Sequence, residues 1–190
     1  IAGNHDHPER LTASSPLAKE QGICLLGLPT TTVQTFMLPS CKQVVQIGAL
    51  PYPSEARLNE LLADSVDEEL LQQAYDQRIA SILNTMAQQF TTNAVHILMS
   101  HLFVAGGIET DSERPISIGG AYTVSPASFP ETADYVALGH LHRPQNVNQA
   151  KPLTRYAGSP LAYSFSEAGQ AKSVTKLVIQ PGQEVELEEI

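Results

Sequence analysis

The sequence predicts an α/β fold built on a mixed sheet, with helices outside it. A long helical stripe over residues 67–90 lies between two apolar runs, 43–50 and 93–100. That order is strand, helix, strand, the unit that makes neighbouring strands parallel. A series of short β-branched segments follows Leu138 and reads as antiparallel.

Taken in order, Ile1-Ala2 reads as the end of a strand running into Gly3-Asn4-His5-Asp6. Asp6 is then the expected N-cap of a helix, with Pro8 in its first turn and Glu9 three residues after the cap. The apolar run 23–28 and the β-branched runs 31–38 and 43–50, bounded by Pro29, Pro39, Ser40 and Pro51, predict two or three strands. A short helix is expected over 54–63. In the long helix, Leu71, Tyr75, Ile79, Ile82, Leu83, Met86 and Phe90 recur at helical spacing and mark the face turned to the core.

Residues 93–100 are apolar up to His101, the pattern of a buried strand. Gly106-Gly107 to Gly119-Gly120, carrying Glu109, Asp111, Glu113 and Arg114, reads as a long surface loop. Residues 133–138 predict the next buried strand. Short antiparallel strands are expected at 146–148, 154–157, 173–179 and 184–187, separated by Pro152, Gly158-Ser159-Pro160 and Pro181-Gly182.

A length of 190 residues with 42% hydrophobic content suits one domain with its own core. Eleven basic against 20 acidic side chains give a net charge of −9, which excludes the basic stripe of a stand-alone nucleic-acid binder. It leaves room for a nuclease, because bound cations invert the local potential. Cys24 and Cys41 have neither zinc-ribbon nor disulfide-framework spacing and are expected as free, buried thiols. No apolar run approaches the roughly 20 residues of a membrane span, so no membrane partner is expected.

The chemistry gathers in three places. Asn4 and His5, His101, and His140 with His142 each stand where an apolar run ends. In open α/β sheets the carboxyl edge of the strands is where ligands bind. Imidazole nitrogen and amide oxygen together suit Mn²⁺, Fe²⁺ or Zn²⁺ and argue against Ca²⁺. In an extended loop, His140 and His142 would share a face. His7, inside the expected helix start, and His96, within a strand, are expected to serve packing or the surface.

These blocks, Gly3-Asn4-His5-Asp6, Ser100-His101 and Gly139-His140-Leu141-His142, resemble the calcineurin-like metallophosphoesterase superfamily. Gly139 to Gln145 and Tyr156-Ala157-Gly158-Ser159-Pro160 are similar, more specifically, to its branch of bacterial DNA-repair nuclease subunits. The resemblance implies a metallophosphoesterase-type α/β sandwich of mixed sheets with helices outside. It implies two divalent ions, Mn²⁺ foremost, with Mg²⁺, Fe²⁺ or Zn²⁺ as alternatives. Asn4, His101 and His140 would bind one ion and His142 would help bind the other. His5 would be the catalytic histidine, assisting the leaving oxygen without being a ligand. The implied partners are a DNA substrate and an ATPase subunit, and the implied location is the cytoplasm.

The superfamily's opening Asp-x-His and Gly-Asp-x-x-Asp blocks do not occur in these 190 residues. The chain is therefore expected to be the C-terminal portion of a nuclease domain, incomplete at its N-terminus and lacking the capping domain and the ATPase-binding segment. Alone, it is expected to bind metal weakly and turn over nothing useful, with an exposed sheet edge or face that a second copy would cover in a homodimer. Another metallophosphoesterase, acting on phosphomonoesters or cyclic nucleotides, and a non-catalytic scaffold domain are the alternative readings.

Overall fold

The computed structural model describes residues 1–59, 67–113 and 121–190. In chain order they form α1 (Pro8–Thr12), α2 (Ser15–Glu20), β1 (Val33–Leu38), β2 (Gln43–Leu50), α3 (Glu55–Leu58), α4 (Glu68–Ala87), β3 (Ala94–His101), β4 (Phe103–Val104), β5 (Thr123–Val124), β6 (Tyr135–Gly139), β7 (Gln145–Asn146), β8 (Leu153–Tyr156), β9 (Thr175–Val178) and β10 (Glu186–Glu189). Six strands make the main sheet, in the order β1-β2-β3-β6-β8-β7. Its four inner strands are parallel, and β1 and β7 run antiparallel at the two edges. The mixed α/β sheet expected from the sequence is present.

Helix α4 makes the crossover between β2 and β3. It begins where Asp67 accepts hydrogen bonds from the amides of Glu69 and Leu70, satisfying two donors of the first turn. Its stripe of Tyr75, Ile79, Ile82, Leu83 and Met86 is buried and joins Leu50, Leu98, Val136, Leu138 and Tyr156 in one core. Each such aliphatic side chain contributes about 1.5–3 kcal/mol on burial. The helix ends before Phe90, which instead stacks on the His96 ring with centroids 4.5 Å apart. Two backbone carbonyls, of Thr91 and Thr132, lie within hydrogen-bond distance of the His96 ring nitrogens, so this histidine serves packing, as expected. His7 is exposed beside Glu9.

Several expectations need correction. Asp6 is not the cap of α1: His7 occupies that position, and the Asp6 carboxylate accepts instead from the amide of Gly3 at 2.7 Å, closing the loop that carries Asn4 and His5. Residues 23–28 form no strand, although the carbonyl of Leu26 accepts from the Ala2 amide at 2.9 Å. Strand β8 pairs parallel with β6, because the chain crosses over after β6 before β7 and β8 form their hairpin. Cys24 and Cys41 are free but exposed, in loops outside the core. The helix expected at 54–63 spans Glu55–Leu58 and stops at Asn59 in the left-handed conformation, while residues 60–63 lie outside the described residues, as do Arg114 and Gly119-Gly120.

Candidate metal centre

The parallel strands β3, β6 and β8 end side by side, with His101 in register with Gly139 and Leu138 with Tyr156. Each loop beyond them therefore opens on the same edge of the sheet. The segment Ala2–Asn4 joins that edge: the carbonyl of Ala2 accepts from the amide of Tyr52, just past β2. Four pieces of chain, remote in sequence, converge on a cavity of about 470 Å³ lined by His5, His101, His140, His142, Ser159 and Tyr163.

Asn4 and His101 touch directly, with Oδ1 2.9 Å from Nε2. His101 and His140 lie edge to face, their ring centroids 5.5 Å apart. His140 is 7% exposed and its Nε2 is buried without a hydrogen-bond partner, as is Nδ2 of Asn4. Buried polar atoms are nearly always paired, so an orphaned imidazole nitrogen in the wall of a cavity asks for a ligand. His140 also has φ of 108°. A residue with a Cβ adopts that conformation only where the surroundings impose it, and such strain collects at functional sites.

Burial pushes the pKa of both His101 and His140 down to about 4, and for His101 the neighbouring His140 adds to the effect. Both rings are neutral at physiological pH and keep a lone pair for a metal. Their ring positions are fixed by close packing. A Cβ on Gly3 would fall 2.9 Å from Cε1 of His101, and one on Gly139 would fall 3.0 Å from its Nδ1. Only glycine at both places admits the ring.

His142 reaches the same cavity by a different anchorage. Its Nδ1 lies 2.8 Å from Oγ of Ser112 and 3.1 Å from Oε1 of Glu167, and its ring stacks on Tyr163 at 5.1 Å. The extended, shared face expected for His140 and His142 is replaced by a turn at His140, which buries one ring and leaves the other about one-fifth exposed. His5 is exposed on the cavity wall.

Among the described residues, no group of three or more His, Cys, Asp or Glu side chains is arranged to hold a metal ion. The trio that does converge includes an amide, Asn4. Its 2.9 Å separation from His101 matches the roughly 3.0 Å edge between adjacent ligands about 2.1 Å from one octahedral ion. The residues present therefore fit one ion in part. The nearest carboxylates are already engaged. Glu113 accepts from the amides of His142 and Thr110; burial alone would raise its pKa, but the Thr110 hydroxyl and these amides bring it below the ordinary range.

Sequence reading missed the residues that hold the site together. Arg57 donates to the carbonyls of Gly3 at 2.8 Å and Asp6 at 2.6 Å, bracing the loop of Asn4 and His5. Tyr156 donates its hydroxyl hydrogen to Leu102 and accepts from the amide of Val104, pinning the chain after His101. Arg57 lies outside every motif and carries no local signal. Tyr156 does lie in a motif, but nothing there indicates a hydroxyl reaching across the sheet.

A sheet of this topology with histidines and an amide at the carboxyl ends of its parallel strands is the α/β fold of the metallophosphoesterases. Over all 190 residues the chain is 57% identical to SbcD of Bacillus subtilis (strain 168), a subunit of the nuclease SbcCD, and it belongs to the same family. It spans 49% of that protein's length. No protein-family model matches the chain.

Proposed function

We propose that these 190 residues are the later portion of the nuclease domain of an SbcD-like protein, a metal-dependent enzyme that hydrolyses DNA phosphodiesters beside an SbcC-like ATPase subunit. The observation that carries this reading is the orphaned, buried Nε2 of His140 beside the contact between His101 and Asn4. The 57% identity to a subunit of the nuclease SbcCD supports the activity and the partner. The capping domain and the SbcC-binding segment belong to the remainder of the longer protein, and that protein works in the cytoplasm. Among the described residues no helix is long and apolar enough to cross a membrane.

Asn4, His101 and His140 would hold one divalent ion and His142 would help hold a second, with Mn²⁺ the metal best suited to a mixed nitrogen and oxygen set. When bound, two such ions polarise the phosphoryl oxygen and make the attacking water more acidic. The chain's own residues do the rest. His101 and His140 stay neutral and so remain available as donors. His5, exposed on the cavity wall, is placed to give a proton to the departing sugar oxygen. Among the described residues no carboxylate near the site is free to offset two dications, so the isolated chain is expected to bind Mn²⁺ weakly, and a second copy is its expected cover.

The test compares cleavage of a DNA duplex end with that of a nitrophenyl phosphodiester by the full-length protein, with and without Mn²⁺. Metal-dependent cleavage of DNA, lost in His140→Ala and in His5→Ala, is expected. Activity on the small ester alone, or on DNA without metal, would overturn the reading.

A further inference from the structure

Glu167 belongs to none of the sequence motifs, yet its side chain is fully buried at the edge of the cavity, on the 3₁₀ turn Phe165–Glu167. Its two oxygens are divided. Oε2 accepts from Nζ of Lys172 at 2.5 Å, and Oε1 lies 3.1 Å from Nδ1 of His142. Lys172 also donates to the carbonyl of His142 at 3.1 Å and to Oγ of Ser159 at 2.9 Å. The backbone amide of His142 is held by Glu113 at 2.7 Å, and one face of its ring by Tyr163.

We propose that Glu167, clamped by Lys172, is the positioning residue of His142: its carboxylate accepts from Nδ1–H, fixes that tautomer, and leaves the Nε2 lone pair as the metal-binding atom. Oγ of Ser112, 2.8 Å from the same Nδ1, does not decide the tautomer, because a hydroxyl can donate or accept. An ionised carboxylate can only accept, so the proton between Glu167 and His142 resides on nitrogen. The ammonium of Lys172, with the Ser112 hydroxyl, holds the Glu167 carboxyl down at about 2, well into the ionised range. Metal-binding histidines characteristically give their other ring N–H to a carboxylate, and losing that partner costs about 10–100-fold in metal affinity.

The inference rests on the reading of His142 as a ligand, and one experiment separates the two. In the metal-free chain labelled with ¹⁵N-histidine, long-range proton–nitrogen correlation at pH 7 is expected to show His142 as the Nδ1–H tautomer alone. In Glu167→Gln/Lys172→Met, which strands no buried ammonium, Nε2–H is expected to appear at His142 while His96 keeps its wild-type signals. A wild-type His142 protonated on Nε2, or a folded double variant with an unchanged tautomer, would overturn the proposal. The wild-type spectrum decides the matter even if the variant does not fold. Mn²⁺ added to the same samples should broaden the His142 signals, with the variant needing about 10–100-fold more metal. Absence of broadening in the wild type counts against the metal reading alone, because the tautomer reports on Glu167 with no metal present.

Discussion

Asn4 and His101, 97 residues apart in the chain, meet with Oδ1 2.9 Å from Nε2 at the carboxyl edge of the sheet. Without an ion the imidazole donates its proton to the amide oxygen, and with one both atoms can offer lone pairs to the same centre. Asn4→Ala should therefore weaken Mn²⁺ binding by about 10-fold or more while changing stability little, since one part-exposed hydrogen bond contributes about 1 kcal/mol. Titration calorimetry on the full-length protein checks the first part and urea unfolding the second.

Arg57 carries no chemistry but holds the carbonyls of Gly3 and Asp6. Hydrogen bonds to a charged donor contribute about 1.5–3 kcal/mol each when buried, less when half-exposed as here. Arg57→Met should cost about 1–2 kcal/mol in urea unfolding and raise amide exchange at Asn4 to Asp6 selectively. Uniform acceleration across the sheet would point to general destabilisation instead.

Acid should expose the neutral histidines. His140 titrates near pH 4 in the folded chain and near 6.5 when unfolded, so the unfolded state binds the extra proton. The stabilising contribution is complete above pH 6.5 and is lost as the pH falls towards 4. For a buried ring it amounts to roughly 3 kcal/mol, and His101, less fully buried, adds a smaller loss over the same window. Unfolding free energies of wild type and His140→Asn between pH 7 and 4.5 measure it: the wild type should lose more than the variant, and parallel curves would refute the assignment.

Gly139 has no side chain because His101 occupies the space, with Nδ1 3.0 Å from where a Cβ would lie. Gly139→Ala should displace that ring, cost about 1–3 kcal/mol as overpacking, and shift the His101 resonances more than those of His96.

The sheet was legible in the sequence wherever a period or a cap announced it: the stripe from Tyr75 to Met86, the Asp67 cap, and the apolar runs ending at His101 and Gly139. The convergence of Asn4, His101, His140 and His142 followed from their places at strand ends. What could not be read were long-range contacts by residues with no motif. Arg57, Glu113, Glu167 and Lys172 act through backbone carbonyls, amides and a buried ion pair that exist only once the loops have folded. Asp6 misled because a capping pattern and a loop-closing turn use the same acceptor, and the nearer amide of Gly3 won.

The most direct measurement is the anomalous diffraction of a crystal of the chain soaked in Mn²⁺. A peak within bonding distance of Asn4 Oδ1, His101 Nε2 and His140 Nε2 is the expected result. Manganese bound elsewhere, with those three atoms left without it, would contradict the assignment of the metal centre.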